Sequence, residues 1–394
     1  MPLAPAGTTI TLKGLITVFS STLCLRKFFL VAISLCLPFI HTALNGAATT
    51  QIQNLAYVAS VCNAKVLFLD TTTNTIVDTV SVGIAPVFVA VSPDGKRVYV
   101  SNRGSHTVSV IDAATHAVVS TIPVAQFPYG LAVTPDDSRV YVASGSGMIS
   151  VIDTNSNSVV ATIPDSVESF QVAITPDGTR AYVTHGDLSL NIFNNTVSVI
   201  DIATNTIIAT IPVGFRPSGI VISPDSTRAY VANANSGTVS VIDTATSTVI
   251  DTIPATMGVF ALAITSDAAK IYATSAFGST VSVIDTSTNA VTSVIPVRQP
   301  SNPSYLAVTP DDARVYVSNG PSTVTINEFD VIDTATDTLT TVIPNPDNCS
   351  LGIAMAPLIP HTKDDCKNGG YQRFRSLAFP NQGQCIKYVE NHGN

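Results

Sequence analysis

The chain of 394 residues is 45% hydrophobic but only 12% charged, against roughly a quarter charged in an average soluble domain. Thr, Ser, Val and Ala fill the difference, a composition of many short β-strands joined by polar turns that excludes a mostly helical protein. The formal charge of −8 repels phosphate backbones, so nucleic acid is not an expected partner.

At the N-terminus, Arg26 and Lys27 precede the apolar run Phe28 to Ile40, and small residues follow from Ala43 to Ala48. This is the order of a secretory signal peptide, so residues 1–48 are expected to be a leader cut near Ala48. An uncleaved anchor is the alternative, and only then is a membrane partner expected, although the run is short for a bilayer span and contains Pro38. Neither Cys24 nor Cys36 follows the small residue that a lipoprotein signal requires. Cleavage removes Lys13, Arg26 and Lys27 and no acid, which takes the formal charge from −8 to −11. No long stretch with helical periodicity is expected beyond the leader.

Residues 49–358 repeat one sentence. VSVIDTATSTVIDTIPA, from Val239 to Ala255, has counterparts beginning at Val66, Val108, Ile149, Val197, Val281 and Phe329. One full period, from Pro86, predicts four strands: VFVAV (a), RVYVSN (b), TVSVID (c) and VVSTIPV (d), with SPDG turning a into b. A four-stranded antiparallel unit of about 40 residues repeated in this way is a propeller blade. The expected fold is therefore all-β: a seven-bladed β-propeller. The aspartates ending strand c, from Asp70 to Asp333, read as hairpin residues that turn their carboxylates onto nearby N–H groups rather than as metal ligands. The strand-b tyrosines, from Tyr57 to Tyr316, read as packing residues with a hydrogen-bonded hydroxyl.

The array begins at strand b, Ala56 to Ser60, with no strand a before it, and the missing strand is LGIAMAP, Leu351 to Pro357. The C-terminal strand a is expected to join the N-terminal strands b, c and d and close the ring. If the a–b hairpin pivots as in the next blade, Cys62 and Cys349 face each other, which predicts a disulfide across the closure.

AYVAN with SGTVSVIDTATSTVIDTIP resembles the YVTN-type β-propeller repeat of secreted and surface proteins, and the resemblance spans Leu55 to Pro357. It implies seven blades and little about chemistry. The tail, residues 359–394, resembles a short C-terminal cysteine-pair segment of exported bacterial proteins in DDCKNGG and FPNQGQCIKYV, with Tyr371 where tryptophan is expected. That implies a Cys366–Cys385 pair; a zinc site is the weaker alternative, with two cysteines and one nearby histidine.

The a strands contain no Asp, Glu, His, Lys or Arg, which argues against a metal or acid–base centre deep in the channel, and no cofactor is expected. What breaks the repeat points elsewhere. Most blades take 13 residues from the strand-b tyrosine to the strand-c aspartate, but the fourth takes 19 and the seventh 17. Both insertions are b–c loops and rise from one face, where repeat-specific insertions often mark binding; unselected loop drift is the alternative. His185, Asp187, Ile192 and Phe193 in the longer insertion, with Phe127, Arg216, Arg298 and Gln299 in d–a loops, are the candidate ligand-binding residues. The sequence thus predicts an exported binding or interaction module, whose partner is a protein, glycan or small molecule at the propeller mouth. The alternatives are a lactonase-like or quinoprotein-like propeller enzyme, or a surface-layer or adhesive component.

Overall fold

The computed structural model describes residues 54–165, 167–186, 194–297, 302–320, 328–347, 349–360, 363–367 and 382–392. The expected leader lies outside the described residues, as do Asp187, Ile192, Phe193, Arg298 and Gln299. From residue 54 on, the chain forms seven four-stranded antiparallel sheets. Blade 2 contains Pro86–Val91, Arg97–Asn102, Thr107–Asp112 and Ala117–Pro123 as strands a to d. Blades 3 to 7 follow from Pro128, Val172, Pro217, Val259 and Pro303.

Blade 1 takes its parts from both ends of the array. Ser350–Met355 lies antiparallel to Leu55–Ser60, with Ala56 opposite Met355 and Val58 opposite Ile353, and Lys65–Asp70 and Thr75–Ser81 complete the sheet. The Val61 N–H donates to the Cys349 carbonyl at 2.8 Å, and Cys62 and Cys349 are bonded with their Cα atoms 5.6 Å apart and 287 residues apart in sequence. Gly352 belongs here because the inner strands nearly touch: a Cβ would lie 2.7 Å from the Val87 carbonyl oxygen of blade 2.

Strand order from the axis outward explains the residue pattern. Strands b and c are covered on both sides by neighbouring blades, so Val98, Val100, Val108, Val110 and Ile111 are buried, whereas strand d of the same blade is mostly exposed, with Ile122 its one buried residue, and ends in proline, which cannot pair with another edge. The small strand-c residues Ser109, Ser150, Ser198, Ser240 and Ser282 are buried where blades meet. In every blade the register of c against d slips just before strand c ends, a bulge that adds to the blade's twist.

The repeated polar residues tie one blade to the next. The hydroxyls of Tyr141, Tyr272 and Tyr316 reach Asn205, Asp337 and Asn74 of the following c–d turn at 2.5 to 2.6 Å. The Arg97, Arg180 and Arg314 side chains donate to the Thr154, Thr244 and Thr71 carbonyls, each in the c–d turn of the blade that follows. The strand-c aspartates act within their own turns: Asp243 accepts the Thr246 N–H at 2.8 Å and Asp112 the Thr115 N–H and hydroxyl, each at 2.8 Å. The Thr246 N–H holds Asp243 below the usual carboxylate range, as the Thr115 hydroxyl does Asp112. These contributions are present above pH 4 or so and are lost as pH falls through the lowered values.

The tail adds an element without a legible sequence signal, the helix α1, Gln382–His392. Cys385, Ile386 and Val389 give it one short apolar stripe, too brief to register as periodicity. The Cys366–Cys385 disulfide is formed, both sulfurs are buried, and Val389, Leu358 and Ile386 pack on them. Ile359 crosses the a–b turn of blade 2, where a Cβ on Gly95 would lie 2.6 Å from Ile359 Cδ1.

The fourth residue of each a–b turn is left-handed, among them Gly95, Asp137 and Asp312. The Asp312 carboxylate receives the N–H and hydroxyl of Ser266 from the neighbouring blade, but the residue in Ser266's place below Asp137 is Pro93, which has no N–H. Oδ1 of Asp137 is buried without a hydrogen-bond partner, and burial, then the Asp94 carboxylate, raise its pKa to about 7. A raised carboxyl stabilises fully below its unfolded value and loses that contribution as pH rises through the folded one. Asp137→Asn, a residue that tolerates left-handed backbone, should therefore raise the Tm at pH 8 by about 3 °C and change it little at pH 4, as read by calorimetry. Cys62→Ser or Cys349→Ser should each lower the Tm by about 5–10 °C with an unchanged far-UV spectrum, since a bridge over so long a loop is worth up to about 5 kcal/mol; an unchanged Tm would count against that role.

Candidate binding face

The a–b and c–d turns form one end of the propeller, and the b–c and d–a loops form the other. The two ends differ in chemistry. Every a–b turn inside the array and every c–d turn carries an aspartate. At the loop end, by contrast, no described carboxylate is exposed: Asp165, Asp330 and Asp347 are buried and Glu168 and Glu328 half-buried. The loop end does expose large apolar side chains, namely Ile84, Phe127, Phe215, Met257 and Phe277. The remaining large apolar side chains that are exposed lie on the outer d strands.

Beneath this face the axis is closed by aromatic rings. Phe88, Tyr129, Phe260 and Tyr305, from the early part of four a strands, and Phe170, just before a fifth, meet across the channel: Phe88 lies 4.7 Å from Tyr305 and 6.2 Å from Phe170, and Phe170 lies 5.7 Å from Phe260. Tyr129 packs on Phe170 at 5.3 Å and Phe260 on Tyr305 at 5.5 Å, mostly edge to face, the arrangement that ring quadrupoles favour. Burial, and then the neighbouring Tyr129, push the Tyr305 phenol well above its ordinary range. The exposed Arg103 guanidinium stands 5.1 Å from the Tyr129 ring and 5.7 Å from Phe127, which places a cation over the edge of this floor.

The rim is held from behind. Phe127 lies edge-on to His106 at 4.9 Å, and its N–H donates to His106 Nδ1 at 3.1 Å. Ile84, Met257 and Phe277 are seated on glycines: a Cβ on Gly104, Gly237 or Gly258 would lie 2.9, 2.8 or 2.5 Å from the respective side chain.

Of the sequence candidates described, Phe127 is on the exposed rim and Arg216 is half-buried in the d–a loop beside Phe215, where its carbonyl accepts the Ala234 N–H at 2.9 Å. His185 is buried. Its Nε2 is 2.9 Å from Asp165 Oδ2 and its Nδ1 2.7 Å from Thr196 Oγ1, while Ser198 and Ser169 donate to the same carboxylate at 3.2 Å. His185 occupies the position of Asn102 and Asn233, which bond Ser109 and Ser240 of their own strands c. The pair therefore anchors both stems of the long loop of blade 4. Blade 7 does the same with Asn319, whose amide donates to Asp330 at 3.2 Å. Composition-based reading missed Ile84, Phe215, Met257 and Phe277, although each adjoins a glycine in its loop: Gly83, Gly214, Gly258 and Gly278. Among the described residues no group of His, Cys, Asp and Glu is arranged to hold a metal ion.

The fold and this geometry define a closed seven-bladed propeller with one acidic and one apolar end. The family model of the choice-of-anchor I domain matches residues 30–217, just under half of the chain. The chain is similar in structure to a hydrazine synthase of Kuenenia stuttgartiensis, with a TM-score of 0.60 at 21% identity over 75% of this chain and 93% of that one. It is similar also to a functionally unknown protein from Desulfotomaculum acetoxidans, with a TM-score of 0.66 at 19% identity over 77% and 99% of the two chains. Dihydro-heme d1 dehydrogenase NirN in complex with DHE gives a TM-score of 0.59 at 16% identity, over 82% and 76%. At these identities the likeness is one of fold. A comparison with curated proteins found no match.

Removing one member of the buried His185–Asp165 pair leaves the other without its partner, which costs about 3 kcal/mol, whereas removing both removes the charge as well. In a double-mutant cycle of His185→Ala and Asp165→Ala, chemical denaturation should therefore return a coupling of at least about 1.5 kcal/mol. Additive single effects would contradict the pairing.

Proposed function

We propose that the chain is an exported repeat propeller of the YVTN type that works as a binding module and engages its partner with the loop face. The observation that carries this reading is the exposure of Ile84, Phe127, Phe215, Met257 and Phe277 at one end of a ring whose other end is acidic. A folded protein keeps such side chains in water at a free-energy disadvantage, and their concentration at one end fits an interaction surface. The aromatic closure of the axis favours a partner that stays on the face over a small substrate that enters the channel. Two disulfides, one joining the ends of the ring and one in the tail, fit an oxidising compartment outside the cytoplasm. The repeat's seven tyrosines and aspartates support the YVTN assignment. Hydrazine synthase and NirN share the fold, but nothing in the geometry of the described channel favours their kind of chemistry here.

A photo-reactive benzophenone residue placed singly at Phe277 or Phe127, and for comparison at Asp225 or Thr246 on the turn face, tests the reading in cells that produce the protein. Adducts from the loop-face positions alone are expected. Adducts only from the turn face, or none from the loop face, would overturn it.

A further inference from the structure

The five exposed side chains of the loop face are not gathered into one concavity. They belong to loops before or within blades 2, 3, 5 and 6, so they are distributed around the ring. A cleft made for a peptide or small molecule would collect its apolar contacts in one place. Tips spread around the mouth of a closed cylinder are suited to a partner that is itself an extended surface.

Four of these tips are backed by the ring itself. Ile84, Met257 and Phe277 each rest against a glycine on their inner side, and Phe127 is held by His106 through both a ring contact and a backbone hydrogen bond.

The charges sort in the same sense. Arg103 is exposed on the loop face, Arg216 lies half-buried beside Phe215, and the described carboxylates there are buried or half-buried. The aspartates of the a–b and c–d turns stand at the far end. An acidic molecule approaching an anionic surface is turned by this asymmetry so that its loop face leads.

We infer that the loop face docks on an anionic lipid bilayer, with Ile84, Phe127, Phe215, Met257 and Phe277 entering the headgroup region and the arginines meeting lipid phosphates. This rests on the reading of the loop face as the binding face and names its partner. Insertion of apolar tips together with attraction to acidic headgroups is the pairing that gives peripheral proteins their membrane affinity. An arginine already poised over aromatic rings supplies planar donors for a phosphate.

The test is co-sedimentation of the full-length exported protein with large unilamellar vesicles, either of phosphatidylcholine mixed with phosphatidylglycerol or of phosphatidylcholine alone. The protein should bind the mixed vesicles, lose affinity as salt is raised, and bind pure phosphatidylcholine weakly. Phe127→Ser/Phe277→Ser should weaken binding to mixed vesicles by at least about tenfold. The far-UV spectrum of that variant should match the wild type's, which separates lost docking from lost fold, while Asp225→Ala on the turn face should bind like the wild type. No binding to mixed vesicles, equal binding to both compositions, or full binding by the double variant would each overturn the inference. If vesicles fail while benzophenone at Phe277 still captures a protein, the lipid partner is wrong and the binding face stands. If both fail, the binding face falls too.

Discussion

Ring closure is the constraint on which this molecule depends. Seven blades can bury both faces of every sheet only if the last blade meets the first, and the chain meets that requirement by splitting blade 1 between Leu55–Ser60 and Ser350–Met355. A hydrogen-bonded strand pair between the two ends of the array makes unwinding of either end costly, because it would expose the apolar faces of two blades at once. The Cys62–Cys349 bond makes that junction covalent, and Gly352 lets the inner strand of blade 1 pack directly on that of blade 2. Tyrosine and arginine contacts add to the closure: Tyr316 and Arg314 of blade 7 reach the Thr71–Asn74 turn of blade 1, as Tyr141, Tyr272, Arg97 and Arg180 reach the blades that follow them.

A closed ring of four-stranded blades divides its connections into two classes, and the classes are under different physical demands. Each c–d turn uses an aspartate to accept the N–H groups of a tight hairpin, and the third residue of each a–b turn is an aspartate that accepts the N–H two residues on, as Asp225 accepts that of Thr227. The acidic end therefore follows from turn chemistry repeated around the ring. The b–c and d–a loops carry no repeated carboxylate, although several of their residues, Phe127 and Arg216 among them, are left-handed too. They are where the chain departs from its own repeat, with a buried His185–Asp165 pair below one long loop, Asn319–Asp330 below the other, and bulky apolar tips elsewhere.

Legibility in the sequence followed the same division. Strands, blades, the closing strand and the ring disulfide could be read because their residues recur at a fixed spacing and the break in the array at each end was visible. The helix α1 could not, since its apolar stripe is three residues long and its burial comes from a disulfide and from Leu358 of the preceding segment. The aromatic closure was hidden because Phe88, Tyr129, Phe170, Phe260 and Tyr305 read as ordinary apolar positions in five separate a strands; only the ring brings each within 6.2 Å of at least one other. Phe127 was legible as an apolar residue in a d–a loop, but Ile84, Phe215, Met257 and Phe277 were masked by the general hydrophobicity of the chain. His185 is legible as a candidate because it stands in the longest insertion, and the structure gives it a buried partner, Asp165, twenty residues away in sequence.

The most direct test of the central claim, that the loop face is the working face, is amide hydrogen exchange measured on the exported protein with and without anionic vesicles. Slowed exchange is predicted in the segments around Ile84, Phe127, Phe215 and Met257 to Phe277, with the Asp94, Asp225 and Asp311 turns unchanged. Slowed exchange in those turns, with the loop segments unaffected, would contradict it.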